Sequence, residues 1–178
     1  MARTWPWFRT RERQWWQIRA SGSSPPQFSK VLEYIAIARE EGATLLLGGQ
    51  RGETPECGRG WFVQPTIFGD VRNDMRIAQE EIFGPVMSIL PFASEDEAYA
   101  IANDTTYGLA AGVWTNDLSL AHRASRALRA GTVWVNTYQM VYPTVPYGGL
   151  KHSGHGRNLG AASLAELTQV KSVWMKVD

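Results

Sequence analysis

The sequence predicts an α/β fold in which a mostly parallel sheet is covered by flanking helices. From Phe28 onward, short apolar runs alternate with segments whose apolar residues recur at helical spacing. The runs are rich in Leu, Val and Ile and nearly continuous, the pattern of strands buried on both faces. Start and stop signals separate the elements: Ser94 and Glu97 stand at capping-box spacing, and Gly42 and Gly131 close helical stretches. In such sheets ligands bind beyond the carboxyl ends of the strands, so those loops are the ones to search.

In chain order, PPQFSKVLEYIAIAREEG places Phe28, Val31, Leu32 and Ile35 on one stripe of a helix stopped at Gly42. ATLLLGG reads as a short buried strand. Gly48 through Gly60, with Pro55 and Cys57, reads as a loop, and GWFVQPTIF as extended structure broken by Pro65. VMSILPF is a further strand, SEDEAYAIAND a helix begun at Ser94, and LAAGVW a strand. A helix over DLSLAHRASRALRAG, capped by Thr115 or Asn116 and stopped at Gly131, leads into the strand TVWVN. The segment NTYQMVYPTVPYGGLKHSGHGR that follows is long, aromatic and Gly-rich for a connector. The tail VKSVWMKV alternates, with Val173, Met175 and Val177 opposite Ser172, Trp174 and Lys176, and reads as a terminal strand that needs a sheet to join.

Residues 1–27 have another texture: Arg3, Arg9, Arg11, Arg13 and Arg19 stand against Glu12, and Trp5, Trp7, Trp15 and Trp16 are interspersed without apolar period. The arginines interrupt any secretory signal. This leader is expected to be disordered or non-native, with a targeting peptide or a membrane-lying peptide as alternatives. The remainder, 28–178, reads as one domain. Over 178 residues the chain is 44% hydrophobic, 20% charged and +1 in net charge, the profile of an ordinary globular protein. That balance gives no electrostatic reason for a nucleic acid or membrane partner. The single cysteine, Cys57, excludes an internal disulfide and a cysteine-cluster metal site, and points to a reducing, cytoplasmic setting.

Several patterns could carry chemistry. GHGRNLG imitates a dinucleotide phosphate loop, but PYGGLKHS precedes it where a hydrophobic strand is required, so a structural Gly-rich turn is the better reading. His152 and His155 lack a third ligand nearby and read as solvated rather than metal-bound; His122 reads as a surface residue. Cys57, in TPECGRG, lacks the setting that makes a reactive thiolate. AQEEIFGPV is more specific. Adjacent Glu80 and Glu81 cannot both enter one pocket if the segment is extended, so one is expected to face water. Gly84-Pro85 turns the chain where a loop feeds a strand, and the other carboxylate stands at that loop end.

Read together, GWFVQPTIF, IAQEEIFGPV, NDTTYGLAAGVWT, AGTVWVN, VPYGGLKHSGHGR and LTQVKSVW resemble, in order and spacing, the C-terminal part of the NAD(P)-dependent aldehyde dehydrogenase superfamily, over 28–178. The resemblance implies part of that family's catalytic domain, ending in an oligomerisation strand over Val170–Val177. It further implies that Glu81 hydrogen-bonds the nicotinamide ribose hydroxyls of NAD or NADP and that Phe83 packs beside the nicotinamide. A carboxylate can accept from two hydroxyls at once, which suits a diol. Gln139, Val141 and Tyr147 match the substrate-tunnel wall, and the implied substrate is a small aldehyde. The family's nucleophilic cysteine, general-base glutamate and Rossmann-like cofactor domain precede the matched region, so no catalytic residue is expected here and the chain alone is expected to be inactive. Asn158 stands where many relatives carry glutamate. The rival readings are a non-catalytic module that binds an aldehyde dehydrogenase subunit through the terminal strand, and a small independent α/β binding domain.

Overall fold

The computed structural model describes residues 25–52 and 60–177. These fall into two compact units divided between Pro91 and Phe92. The expected leader lies largely in residues 1–24 and Cys57 in residues 53–59, both outside the described residues.

The first unit is built on α1 (Pro25–Glu40). It covers the stretch PPQFSKVLEYIAIARE that the sequence reads as helical. Val31, Tyr34, Ile35 and Ala38, at helical spacing, are buried against Phe68, Val71, Met75, Ile77 and Ile82. The helix closes at Gly42 with the paired bonds Gly42 N–H to Arg39 C=O (3.1 Å) and Ala43 N–H to Ala38 C=O (2.9 Å).

The sheet runs in the order β1 (Thr44–Leu47), β2 (Thr66–Gly69), β3 (Val86–Ser88). Strand β1 is antiparallel to β2, and β2 is parallel to β3 with Thr66 opposite Val86. Strand β1 was expected to be buried, yet Leu46 and Leu47 are 59% and 52% exposed. Its place at the edge explains this: Phe68 and Thr66 of the central strand are the buried residues. Before β2, Gly52 N–H donates to Phe62 C=O (2.8 Å) and Gln64 N–H to Gln50 C=O (2.9 Å), so the first half of GWFVQPTIF pairs back on residues 50–52. A helical turn, α2 (Arg76–Gln79), precedes β3 and was not expected from the sequence.

In the second unit α3 (Glu95–Asn103) starts as the capping box predicts. Ser94 Oγ accepts from Glu97 N–H at 3.1 Å, and the Glu97 carboxylate accepts from Ala93 N–H at 2.7 Å. Strands β4 (Ala110–Val113) and β5 (Thr132–Val135) are parallel and joined through α4 (Leu118–Ala127), a βαβ unit. Helix α4 is capped by Asp117, not by Thr115 or Asn116: Asp117 Oδ1 accepts from Ser119 N–H and Leu120 N–H. The Thr115 hydroxyl accepts from Asp117 N–H (3.0 Å), and the Thr115 backbone is tied to the Asn136 side chain, just after β5, by hydrogen bonds of 2.9 and 2.8 Å. The helix ends at Ala127, short of Gly131, where Asn103 Nδ2 donates to Ala127 C=O (2.9 Å). Arg123 and Tyr99 both donate to Glu95, linking α3 and α4.

After a short 3-10 turn over Lys151–Ser153, α5 (Ala162–Leu167) is the last regular element. Residues 168–177 form no ladder with the other described residues, and Val170 and Trp174 are 100% and 94% exposed. Alternation prepares a segment for pairing but does not supply the partner edge. Among the described residues two of the three strand pairings are parallel, as the α/β reading requires, but they belong to two small sheets. Among the described residues no helix is long and apolar enough to cross a membrane.

Gly131 marks a close backbone approach, since a Cβ built there falls 1.7 Å from Gly148 C=O. Gly131→Ala should therefore destabilise the protein by ~1–3 kcal/mol or more, read as a lower urea midpoint. An unchanged midpoint would show that the two segments are free to part.

Candidate functional site

Residues 80–83 join α2 to the turn before β3, and the stripe of α1 that carries Gln27, Lys30 and Tyr34 lies against them. Gln27 Nε2 donates to Phe83 C=O (2.8 Å) and Ile82 C=O (3.2 Å), and Lys30 Nζ donates to Glu81 C=O (2.8 Å). Tyr34 Oη donates to the Glu80 carboxylate. These side chains stand at i, i+3 and i+7 of one helix, so a single face reaches four successive residues. Ile82 is buried in the core between them.

The two glutamates do part company, as extended geometry requires, but Glu80 is not simply solvated. Arg76 Nε and Nη2 hold its two oxygens at 3.0 Å each, a forked pair one helical turn apart. The Arg76 guanidinium lies 5.3 Å from the centre of the Tyr34 ring. The Arg76 bonds, with that from Tyr34 second, hold the Glu80 carboxyl down at about 2, and the Glu80 hydrogen bond raises the Tyr34 hydroxyl above its ordinary value. Glu81 is exposed, and its carboxylate has no hydrogen bond or ion pair among the described residues. Phe83 is 75% exposed and has φ +56°, a left-handed conformation uncommon for a bulky residue. A large ring held outward on strained backbone is the kind of outlier that marks a ligand site.

Gln139, Val141 and Tyr147 all lie in the second unit, on the connection after β5. Val141 and Tyr147 line an apolar concavity of about 420 Å³ with Trp134, Met140, Tyr142 and Val145. Gln139 is exposed with φ +58° and does not line it. Trp134 Nε1 donates to Met140 C=O (2.9 Å), which folds the connection over the end of β5. Tyr147 and Asn158 exchange backbone hydrogen bonds of 2.8 Å each, so the position of Asn158 in the chain is fixed by its main chain.

GHGRNLG is a structural turn: the 3-10 segment Lys151–Ser153 precedes it, and Arg157 Nη1 braces it by donating to Gly149 C=O (2.8 Å) and Gly156 C=O (2.7 Å). His122, His152 and His155 are exposed, and no group of three metal-binding side chains occurs among the described residues. Sequence reasoning missed Tyr34, Arg76 and Gln27. Arg76 and Glu80 stand at i, i+4, which was a legible signal; Tyr34 lies 46 residues from its partner and was not legible.

Residues 21–173 match the aldehyde dehydrogenase family. The chain belongs to that family. Its members include an aldehyde dehydrogenase of Aspergillus niger, 50% identical over 83% of this chain and 29% of that protein. A betaine aldehyde dehydrogenase of Brucella anthropi is 50% identical over 85% of this chain and 31% of its own length. Among solved structures, an indole-3-acetaldehyde dehydrogenase in complex with NAD+ superposes with a TM-score of 0.80 at 51% identity, over 86% of this chain and 31% of that one. The NAD+ complex of a Bacillus cereus aldehyde dehydrogenase also gives 0.80, at 47% identity, over 87% of this chain and 31% of that one. The chain thus spans about a third of the family members it matches.

The depressed Glu80 pKa fixes a pH window. Its folded value lies below the ordinary 4.5, so its contribution to stability is complete above 4.5 and is lost as pH falls through about 2. Carboxyl-carbon NMR should show Glu80 titrating near 2, and Tyr34→Phe should raise that midpoint. A Glu80 midpoint near 4.5 in the unmodified chain would show that the ion pair does not persist in solution.

Proposed function

We propose that this chain supplies the cofactor-facing turn and part of the substrate wall of an enzyme that oxidises a small aldehyde to a carboxylic acid with NAD or NADP. The observation that carries the reading is the Glu81–Phe83 pair: an uncommitted exposed carboxylate beside an exposed ring, on backbone pinned from behind by α1. The donor set fits the group. Glu81 offers two anionic acceptors for the two hydroxyls of a ribose, and Phe83 offers an apolar face for the flat nicotinamide. NAD(P), when bound, supplies the hydride acceptor. Glu81 would orient the sugar and Phe83 would limit the tilt of the ring, so that this chain's part is positioning. Val141 and Tyr147, which line the concavity, would form part of the apolar wall against the aldehyde's side chain, and Gln139 would not. The NAD+ complexes among the solved relatives and the betaine and indole-3-acetaldehyde enzymes support this class without choosing a substrate. A cytoplasmic setting fits the single cysteine.

A chimera tests the reading, with residues 25–177 replacing the matching part of the Brucella anthropi enzyme. Glu81→Gln in it should lose one charge-assisted contact of ~1.5–3 kcal/mol, a roughly ten- to hundredfold loss in kcat/KM for the cofactor. Kinetics of the variant indistinguishable from the parent chimera would sink the assignment.

A second reading, association through the tail, is favoured by the outward Val173, Trp174, Met175 and Val177. The tail would add as a strand to another subunit, in a homo-oligomer or against a different aldehyde dehydrogenase chain. Deleting residues 170–178 should shift sedimentation of the purified chain toward monomer. A chain that is monomeric with or without the tail would end that reading.

A further inference from the structure

Glu80 occupies a position that the proposed chemistry leaves unused, yet among the described residues it is the most heavily bonded carboxylate of its unit. Its backbone is extended (φ −109°, ψ 148°), so its side chain and that of Glu81 must point to opposite sides. One oxygen takes Arg76 Nε; the other takes both Arg76 Nη2 and the Tyr34 hydroxyl. Arg76 is itself placed by Glu41, whose Oε2 accepts from the Arg76 N–H at 2.9 Å. Two separate helices therefore hold one carboxylate. Two residues on, Ile82 is buried on the same side, while Glu81 and Phe83 are exposed.

We propose that Tyr34, Glu80 and Arg76 form a positioning lock that aims the Glu81 carboxylate and the Phe83 ring at the cofactor. The first glutamate of the pair orients the second: with both Glu80 oxygens engaged, rotating Glu81 toward α1 requires breaking the fork or the Tyr34 bond. This use of the lock rests on the reading of Glu81 and Phe83 as cofactor contacts; the lock itself does not. Ion pairs as open to solvent as this one add little to global stability, so removing it should change where residues 81–83 point far more than whether the unit folds.

The test uses the 178-residue chain carrying Glu80→Gln, Tyr34→Phe, or both; Tyr34→Phe keeps the ring that packs in the core. Chymotrypsin cleavage after the exposed Phe83 should be roughly five- to tenfold faster in each single variant, and no faster again in the double, because one unit is being broken. Amide shifts of residues 81–84 should move while the thermal midpoint stays nearly constant. Unchanged cleavage and shifts in Glu80→Gln would overturn the lock. In the chimera, Glu80→Gln and Tyr34→Phe should raise KM for NAD(P) or lower kcat by roughly three- to tenfold, with KM for the aldehyde unaltered. A defective Glu81→Gln beside normal Glu80→Gln and Tyr34→Phe would overturn the positioning role and leave the cofactor assignment standing. Normal kinetics in all three would instead overturn the cofactor assignment, and with it the use proposed for the lock.

Discussion

The packing of α1 against residues 80–83 is the constraint on which the first unit's candidate chemistry depends. One helix presents two adjoining stripes. Val31, Ile35 and Ala38 enter the core with Phe68, while Gln27, Lys30 and Tyr34 bond the loop's carbonyls and one carboxylate. The apolar stripe fixes the helix, and the polar stripe transmits that fixed position to the loop. Neither works alone, because side-chain hydrogen bonds from a loose helix would pin nothing, and an apolar seam gives no direction to a turn.

How much of this was legible in the sequence depends on how local each cause was. Ser94 with Glu97, and the βαβ beat from Ala110 to Val135, rest on neighbours within a turn or on periodicity, and both were read correctly. The cap of α4 was misplaced by one or two residues because Thr115, Asn116 and Asp117 are all good caps; the Thr115 hydroxyl is taken by Asp117 N–H, one residue short of the helix. The exposure of Leu46 and Leu47 follows from strand order, which no run of leucines reveals. At the candidate site, the opposite senses of Glu80 and Glu81 followed from strand geometry. What occupied Glu80 did not, since its Tyr34 partner comes from a distant helix.

The same Tyr–Glu–Arg grouping recurs in the second unit, where Glu95 accepts from Tyr99 and from both arms of Arg123, and its carboxyl is likewise held to about 2. There it joins α3 to α4 and no exposed strained ring stands beside it. The chemistry of the two groupings is alike and their surroundings differ, so it is the neighbouring Glu81 and Phe83, and not the ion pair, that make the first part of the candidate site.

The bond from Gln27 to Phe83 comes from the third residue of α1, and that placement has a dynamic consequence. Helix ends open and close far more readily than helix middles, and the first turn lacks the intrahelical partners that hold later ones. The orientation of Phe83 is therefore coupled to fraying of α1's first turn, while Tyr34, nearly two turns further in, holds Glu80 from a part of the helix that does not fray. The ring and the carboxylate anchor are thus secured with unequal stiffness.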